Sequence, residues 1–531
     1  MLDKYVMILG AGLMQRPAIE AAHELGYKVF LVDANPKAIC VPLADIFSPI
    51  DLKDREGLLA SAKNFPHKIC AVFTAGTDFS ASVAFVAENL KLPSHSFKSA
   101  LNASDKILMR TCFQKSNVPS PAFVECKDSK LLQNVHFPKV IKPVDNMGAR
   151  GCRLIRDASE YQSSVEAALS ASRSKTTILE DYMEGLEFSI DALIYKGTFT
   201  VTGFADRHIF YPPYFIEMGH TMPSNIEENI KFDLIKTFAA GAKALGLTHG
   251  VAKADIKYTK NGAMIGEIAA RLSGGYMSGW TFPFSANFNL TKEALNLALG
   301  AESENFLKMR KKLPFQDSEC GFELYELPSI FTSAERAWIS IPGIVSDVIG
   351  LESAEKIPFI KNVFPRVQTG DFVDFPRNNV EKCGNCISLA PTRKEAIFAS
   401  EKAVSSIVIR LKANNSKTDD FLFGRQNASE KGFPEDAFTL PENLQSEIDN
   451  YFKIKSSFAC DTPILNQIPK EILNRLSDFS DWNHRTILES IQIIDKLVLK
   501  HKDWECKKIW TLLMRGGVQA VLYFADTEKE A

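Results

Sequence analysis

In FPKVIKPVDNMGARGCR, Lys142 ends a short apolar run, and Gly148 and Gly151 punctuate the loop after it. Backbone amides of such a loop can cradle a polyphosphate, while the ammonium adds a point charge to the same oxygens. The lysine precedes the glycines, so this is not a Walker A loop; the plain alternative is a solvated strand end. A second segment, ADIKYTKNGAMIGEIAAR, reads as two strands around a three-residue loop, Lys260-Asn261-Gly262. Centring on Asn261 sets Asp255 opposite Glu267, six residues to either side. Opposed carboxylates have Cβ atoms roughly 5 Å apart and repel unless something neutralises them. A hard cation does so, and magnesium is commonly held by one or two carboxylates together with substrate phosphates. The plain alternative is a hairpin whose acids face solvent. If the second strand stays extended, Ala269 and Arg271 share the face of Glu267, and a guanidinium there suits a developing phosphoryl or carboxylate charge. Removing either acid's charge is expected to relieve roughly 0.2–1 kcal/mol of repulsion in the metal-free protein.

Two further motifs carry weaker signals. GAGLMQ follows an apolar run, but Gln15 stands where a dinucleotide fingerprint has its third glycine, although Asp33 ends the next strand at a suitable distance. A dinucleotide site competes there with a glycine turn needed only for backbone geometry. Cys383 and Cys386 form a lone CxxC with no second pair to complete a zinc site, and CGNC reads as a turn between strands. The other eight of the ten cysteines are scattered, which suits a reducing cytoplasm.

These groups need a scaffold, and 531 residues imply three or four domains. Charged residues at 24% and a formal net charge of −2 argue against nucleic acid as partner, and no apolar stretch approaches membrane-spanning length. The opening MLDKYVMILGAGLM is too short in apolar residues for a secretory leader and reads as a first strand. The first 95 residues alternate strand, glycine turn and helix, predicting a small doubly wound α/β domain. From Asp105 a helix is followed by strand-rich segments (FPKVIKP, KTTILEDYM, EFSIDALIY, TFTVTGFAD), with helices at 229–246 and 291–299. Strands and turns fill 341–411. KANNSKTDD and RQNASEKGFPED then read as a linker, and the last hundred residues as a helical appendage whose Trp482, Trp504 and Trp510 are helix core. Deleting everything after about residue 412 is therefore expected to leave a soluble, nucleotide-binding protein.

In this order, DKILMR, VIKPVDNMGARG, ILEDYMEGLEFSID and the Asp255 to Glu267 pair with Arg271 resemble the ATP-grasp superfamily, most closely its carboxylate–amine ligases of the L-amino-acid ligase and carbamoyl-phosphate synthase-like type. The resemblance covers roughly residues 1–412. It implies a Rossmann-like domain at 1–95, an ATP-grasp domain at 96–305 with a lid at about 120–190, a C-terminal α+β subdomain at 306–412 and the helical region 413–531. It makes Lys106 and Lys142 the phosphate-binding lysines and Met147, Gly148, Ala149, Arg150 and Gly151 the loop over the phosphates. Glu180, Asp181, Tyr182 and Met183 become the hinge that meets adenine, and Glu187 the ribose-binding acid. Asp255 and Glu267 become ligands of Mg2+ or Mn2+, and Arg271 the group that steadies an acyl phosphate. Arg207, Glu217 and His220 fall where such ligases carry substrate contacts, and Ser273 and Gly274 come just after Arg271, where amides could hold the acyl group.

The expected activity is ATP-dependent ligation of a small carboxylic or amino acid to an amine, in the cytoplasm, with a homodimer as the candidate assembly. The sequence departs from the family at Glu267-Ile268-Ala269, where Glu-x-Asn is usual. Two rival readings remain: a bicarbonate-phosphorylating carboxylase or carbamoyl-phosphate synthase-like enzyme, and an inactive nucleotide-binding partner protein.

Overall fold

The computed structural model describes residues 3–130, 135–315, 320–424, 433–460, 462–498 and 503–530. It comprises two compact units, one of Met1–His208, His220–Ala334 and Leu389–Arg393, the other of Ile209–Gly219, Glu335–Ser388 and Lys394–Ala531.

In the first unit the alternating pattern produces β1 (Lys4–Leu9), α1 (Arg16–Glu24), β2 (Lys28–Val32), β3 (Ile46–Ser48), α2 (Arg55–Asn64), β4 (Lys68–Phe73) and α3 (Ser80–Asn89). The strands are parallel in the order β3-β2-β1-β4. Gln15, the misfit in the glycine motif, is fully buried: its amide donates to the Ala75 carbonyl, and its Oε1 accepts from Ala75 N at 2.9 Å. It thus clips the glycine turn to the end of β4, while Asp33 accepts from Ala11 N at 2.8 Å. Both groups that a dinucleotide reading would have used close the turn itself. One face of this sheet, with Val6, Ile8, Leu31 and Phe73, shares a core with Leu193, Tyr195, Val251 and Leu272, so residue 95 marks no break in packing.

Next come α4 (Phe97–Ser104) and α5 (Lys106–Lys115). Asp105 caps α5, accepting from Ile107 N and Leu108 N at 2.8 and 2.9 Å. Lys106 therefore opens the helix and Arg110, four residues on, lies on the same face. The stretch expected as a lid forms its own antiparallel sheet from β5 (Phe123–Cys126), β6 (Lys139–Pro143), β7 (Arg153–Ile155) and, after α6 (Tyr161–Ala171), β8 (Thr177–Asp181), in the order β5-β8-β6-β7.

The chain continues through β9 (Gly185–Tyr195), β10 (Thr198–Phe210), β11 (Ile216–Met222), α7 (Glu228–Leu245), β12 (Gly250–Thr259) and β13 (Gly262–Ala269). Within the first unit β13-β12-β9-β10 is an antiparallel array. α7 covers one face, packing Leu234, Phe238 and Ala242 on Ile190, Ala192, Ile256 and Ile265. Each large apolar side chain contributes about 1.5–3 kcal/mol by burial. The opposite face carries Leu193, Tyr195 and Val251 in the core shared with the first sheet and, further along the strands, the charged residues of the site.

Gly384–Ala390 is a strand, so CGNC is not a turn. Cys383 and Cys386 are both fully buried, and burial pushes the Cys383 thiol up to about 12, an inert rather than redox-ready state. The region after residue 412 also differs from the expectation. Ser416–Phe423 is a helix rather than linker, and residues 425–432 of the expected linker lie outside the described residues. The helices Glu442–Ile454 and Ile487–Leu497 and the helical segment Cys506–Glu530, broken by a kink at Gly517, share one core with Trp338, Ile341, Val408 and Leu411. Polar contacts fasten them too. Asn483 exchanges two hydrogen bonds with the Ile339 backbone, both at 2.9 Å, Gln519 donates to the Ile409 carbonyl at 3.2 Å, and Arg410 grips Asp526 at 2.8 and 2.7 Å. The three tryptophans are buried as expected, but only Trp510 sits in a helix. The polar composition of 412–436 suggested a boundary that the packing does not respect.

Deleting residues 413–531 would strip this core of half its wall. The truncated chain should aggregate on expression, as measured by the soluble fraction after centrifugation, the reverse of the outcome expected from the linker; a soluble monomer would show that the tail is dispensable to the fold.

Candidate active site

The hairpin β12–β13 sets the two acids directly opposite each other, Asp255 with Glu267, but not by the route the sequence suggested. The turn is one residue tighter, with Thr259 paired to Gly262 and Ile256 to Ile265. On that register Glu267 would face Ala254 and point to the other side of the sheet. A bulge between Asp255 and Ile256 inserts Gly266 as an extra residue and restores the pairing. The carboxylates share a face because a short turn and a bulge offset one another.

Both acids already have cationic neighbours. Lys253 reaches Asp255 by a short contact, Arg207 lies 3.2 Å from it, and Lys106 is 3.6 Å from Glu267. Lys253 pairs across the hairpin with Ala269, the position of the missing asparagine. The repulsion foreseen for the metal-free protein is therefore relieved by lysine and arginine. Neutralising Asp255 would break ion pairs rather than remove strain.

Lys142 and Glu180 belong to the paired strands β6 and β8. Lys142 Nζ is 2.7 Å from Glu180 Oε2, and Arg110 Nε is 2.7 Å from Oε1 of the same carboxylate, which is 1% exposed. Burial would raise the Glu180 pKa, but Arg110 and Lys142 outweigh it and hold it at about 2. For Lys142 burial opposes the charge, and the Glu180 carboxylate more than compensates, keeping the ammonium above its ordinary value. Glu180 thus turns its side chain to these cations rather than into a hinge, while Asp181, on the alternate face of the strand, is exposed and pairs with Lys139. Lys257 donates to the Met183 carbonyl at 3.2 Å, lies 5.5 Å from the centre of the Tyr182 ring, and sits 3.0 Å from Glu187. Glu187 also receives Arg207 at 2.6 Å, so Arg207 bridges Glu187 and Asp255.

The loop after Lys142 takes positive φ at Gly148 (66°), Ala149 (60°) and Gly151 (71°). At Gly151 glycine is required twice over, since a Cβ there would also lie 2.6 Å from that of Ala171. These residues fold the loop into tight turns, with Arg150 N donating to the Met147 carbonyl at 3.4 Å and Cys152 N to the Ala149 carbonyl at 3.0 Å. Asn146, absent from the sequence reading, anchors the loop: its side-chain amide donates to the Ala171 carbonyl at 2.8 Å, and its backbone carbonyl accepts from Lys106 at 3.2 Å. Arg150 lies 3.5 Å from the Asn146 side chain.

Arg271 grips Asp78 at 3.1 and 2.8 Å. Burial opposes ionisation of that carboxyl, but Arg271 holds it below the usual range. Asp78 escaped the sequence reading, although it ends the TAGTD turn at the carboxyl end of β4, where open α/β sheets bind ligands. Ser273 spends its hydroxyl and its amide, the latter at 3.2 Å, on Asp191, whose burial lifts its pKa to about 6. Gly274 packs on Gly76. Of the other substrate candidates, His220 is fully buried in β11, and Glu217 belongs to the second unit, where its amide donates to Asn379 at 2.8 Å and its carbonyl accepts from Lys382 at 2.7 Å. Lys106, Lys142, Glu187, Arg207, Asp255 and Glu267 are linked in the first unit by ion pairs and neighbouring strands; Glu217 is not among them.

Among the described residues no group of three or more His, Cys, Asp and Glu could hold a metal alone. Two carboxylates on one face, with lysines at 142 and 106 and a glycine-bearing loop in the same unit, instead suit a magnesium ion completed by phosphate oxygens.

The Glu180 triad makes a pH-dependent prediction. Its carboxyl is depressed from 4.5 in the unfolded chain to about 2, so its stabilisation is complete above pH 4.5 and is lost as pH falls toward 2. Glu180→Gln strands two cations and should destabilise the protein at pH 7 by on the order of 3–5 kcal/mol. The gap from wild type in urea midpoint should narrow as pH falls from 4.5; a constant gap would show that Glu180 is not the titrating partner.

A model of the ATP-grasp domain matches residues 135–279, and a model described as L-amino acid ligase C-terminal domain 2 matches residues 337–412. An uncharacterised protein of Sinorhizobium fredii, y4rH, is 22% identical over 414 residues, 74% of this chain and 80% of its own length. Carnosine synthase 1 of Gallus gallus is 22% identical over 308 residues, covering 52% of this chain but 33% of that protein, so the chain spans about a third of its length. The crystal structure of L-amino acid ligase from Bacillus licheniformis shares the fold with a TM-score of 0.65 at 20% identity, over 78% of this chain and 100% of that one. No helix among the described residues is long and apolar enough to cross a membrane. Residues 135–279 thus match the ATP-grasp domain and residues 337–412 a C-terminal domain of L-amino acid ligases, and the chain shares the fold of the solved L-amino acid ligase.

Proposed function

We propose that this protein activates a small carboxylic or amino acid as an acyl phosphate at the expense of ATP and passes the acyl group to an amine. The observation that carries this reading is the Asp255–Glu267 pair, brought onto one face by the Gly266 bulge and placed within reach of Lys106. Magnesium, when bound between these carboxylates and the phosphates, would neutralise charge on the transferring phosphoryl group.

Lys142 and Lys106 hold phosphate oxygens, and the loop 147–151 covers them. Glu187 receives the ribose, and the backbone of Tyr182 and Met183 borders the base. Lys253, across from Ala269, supplies a fixed positive charge beside Asp255. Arg271, held by Asp78 and kept ionised despite burial, receives the carboxylate and later the acyl phosphate. The amine then attacks the acyl carbon and phosphate leaves, with no covalent bond to the protein. Positioning and charge neutralisation carry such a reaction.

ADP and phosphate release against a panel of amino acids, singly and in pairs, tests the reading. Release should require a pair and should fall by roughly 10²–10³-fold in Lys142→Met. Release needing bicarbonate instead would favour carboxyphosphate formation, and none with any partner would indicate an inactive nucleotide-binding protein. A second prediction concerns the metal. Asp255→Asn should leave the melting temperature of the ligand-free protein unchanged or lower, and should abolish the added stabilisation by magnesium–ATP. A higher ligand-free melting temperature would mean that Lys253 and Arg207 do not compensate Asp255.

A further inference from the structure

Three residues of one helix converge on the strand segment around a single acid. Lys106, at the start of α5, lies 3.6 Å from the Glu267 carboxylate. Met109 Sδ accepts from the amide of Ile268 at 3.4 Å, and Arg110 Nη2 donates to the carbonyl of Gly266 at 2.6 Å. The backbone groups on either side of Glu267 are therefore both held by neighbouring residues of α5. Gly266 is the inserted residue of the bulge, and a bulged residue leaves the ladder of strand hydrogen bonds. Its carbonyl needs a donor from elsewhere, and Arg110 supplies one. The same guanidinium is 1% exposed and binds Glu180 through Nε at 2.7 Å, and Glu180 in turn binds Lys142.

We propose that Arg110 is a positioning residue that holds the Gly266 bulge, and so keeps Glu267 on the face of Asp255, while setting Lys142 through the shared Glu180 carboxylate. The inference rests on the reading of Glu267 as a ligand of the divalent cation. Its physical basis is the planar fork of arginine, which spans a carboxylate and a carbonyl at once; a lysine ammonium at the same place is a point charge and cannot hold both. Without the grip, the strand can relax to the turn's own register, in which Glu267 faces Ala254.

Arg110→Lys keeps a charge beside Glu180 while removing the fork. With the protein saturated in ADP, Mn2+ affinity measured by electron paramagnetic resonance should fall roughly 10–100-fold, the range found when groups supporting a metal ligand are removed. ADP affinity without metal should change far less, a separation that mere loosening of the fold would not produce. Unchanged Mn2+ affinity in folded Arg110→Lys, or an equal loss of metal-free ADP affinity, would overturn the proposal. Should Arg110→Lys fail to fold, the double variant Arg110→Leu with Glu180→Leu removes the buried pair together; it should show the same loss of Mn2+ affinity, and wild-type affinity would overturn the proposal. Glu267→Gln distinguishes failure of the metal site from failure of its support. If it too binds Mn2+ as wild type does, the metal-site reading fails; if it loses Mn2+ while Arg110→Lys does not, only the role of Arg110 fails.

Discussion

The site depends on a parity correction in one hairpin. Side chains alternate along a strand, so a shift of one residue sends every side chain to the opposite face. The two-residue turn at Lys260-Asn261 alone would separate Asp255 from Glu267, and the bulge at Gly266 brings them back together. A glycine suits the inserted position because a Cβ there would press on the Asp255 carbonyl at 3.0 Å. The placing of Lys106 and the route from Arg110 through Glu180 to Lys142 are both built around that local irregularity.

Electrostatics accounts for how so many charges persist together in ligand-free protein. Glu180 is paired on both sides, Asp255 meets Lys253 and Arg207, Glu187 meets Arg207 and Lys257, and Arg271 meets Asp78. Neither acid of the proposed metal pair stands without a cation nearby. On the proposed reading, binding a nucleotide with its cation would exchange one set of neutralising partners for another, with the lysines turning from carboxylates to phosphates. Such an exchange keeps the desolvation cost of the empty site low.

Much of this was legible in the residues. The Rossmann-like opening, the helix after Asp105 and the central strands follow from periodicity and capping, and the pairing of Asp255 with Glu267 follows from counting around Asn261. That count reached the right pair through a looser turn and no bulge, because a strand pattern does not reveal an inserted residue. Arg110 and Asp78 went unseen because their partners lie 156 and 193 residues away, where spacing carries no signal. The tail was misjudged for a different reason: the polar stretch after Leu411 reads as a linker, yet the helices beyond it are needed to cover Trp338 and Val408. CGNC failed similarly, since Gly-Asn favours a turn only where the flanking chain is free to reverse.

The central claim is that Asp255 and Glu267 jointly hold a divalent cation against nucleotide phosphates. Crystals grown with ADP and Mn2+ would test it by anomalous scattering at the manganese edge. The account predicts a single strong peak in contact with both carboxylates and with phosphate oxygens, with Lys253 and Arg207 withdrawn from Asp255. A peak bound by the phosphates alone, with both acids still paired to lysine and arginine, would contradict it.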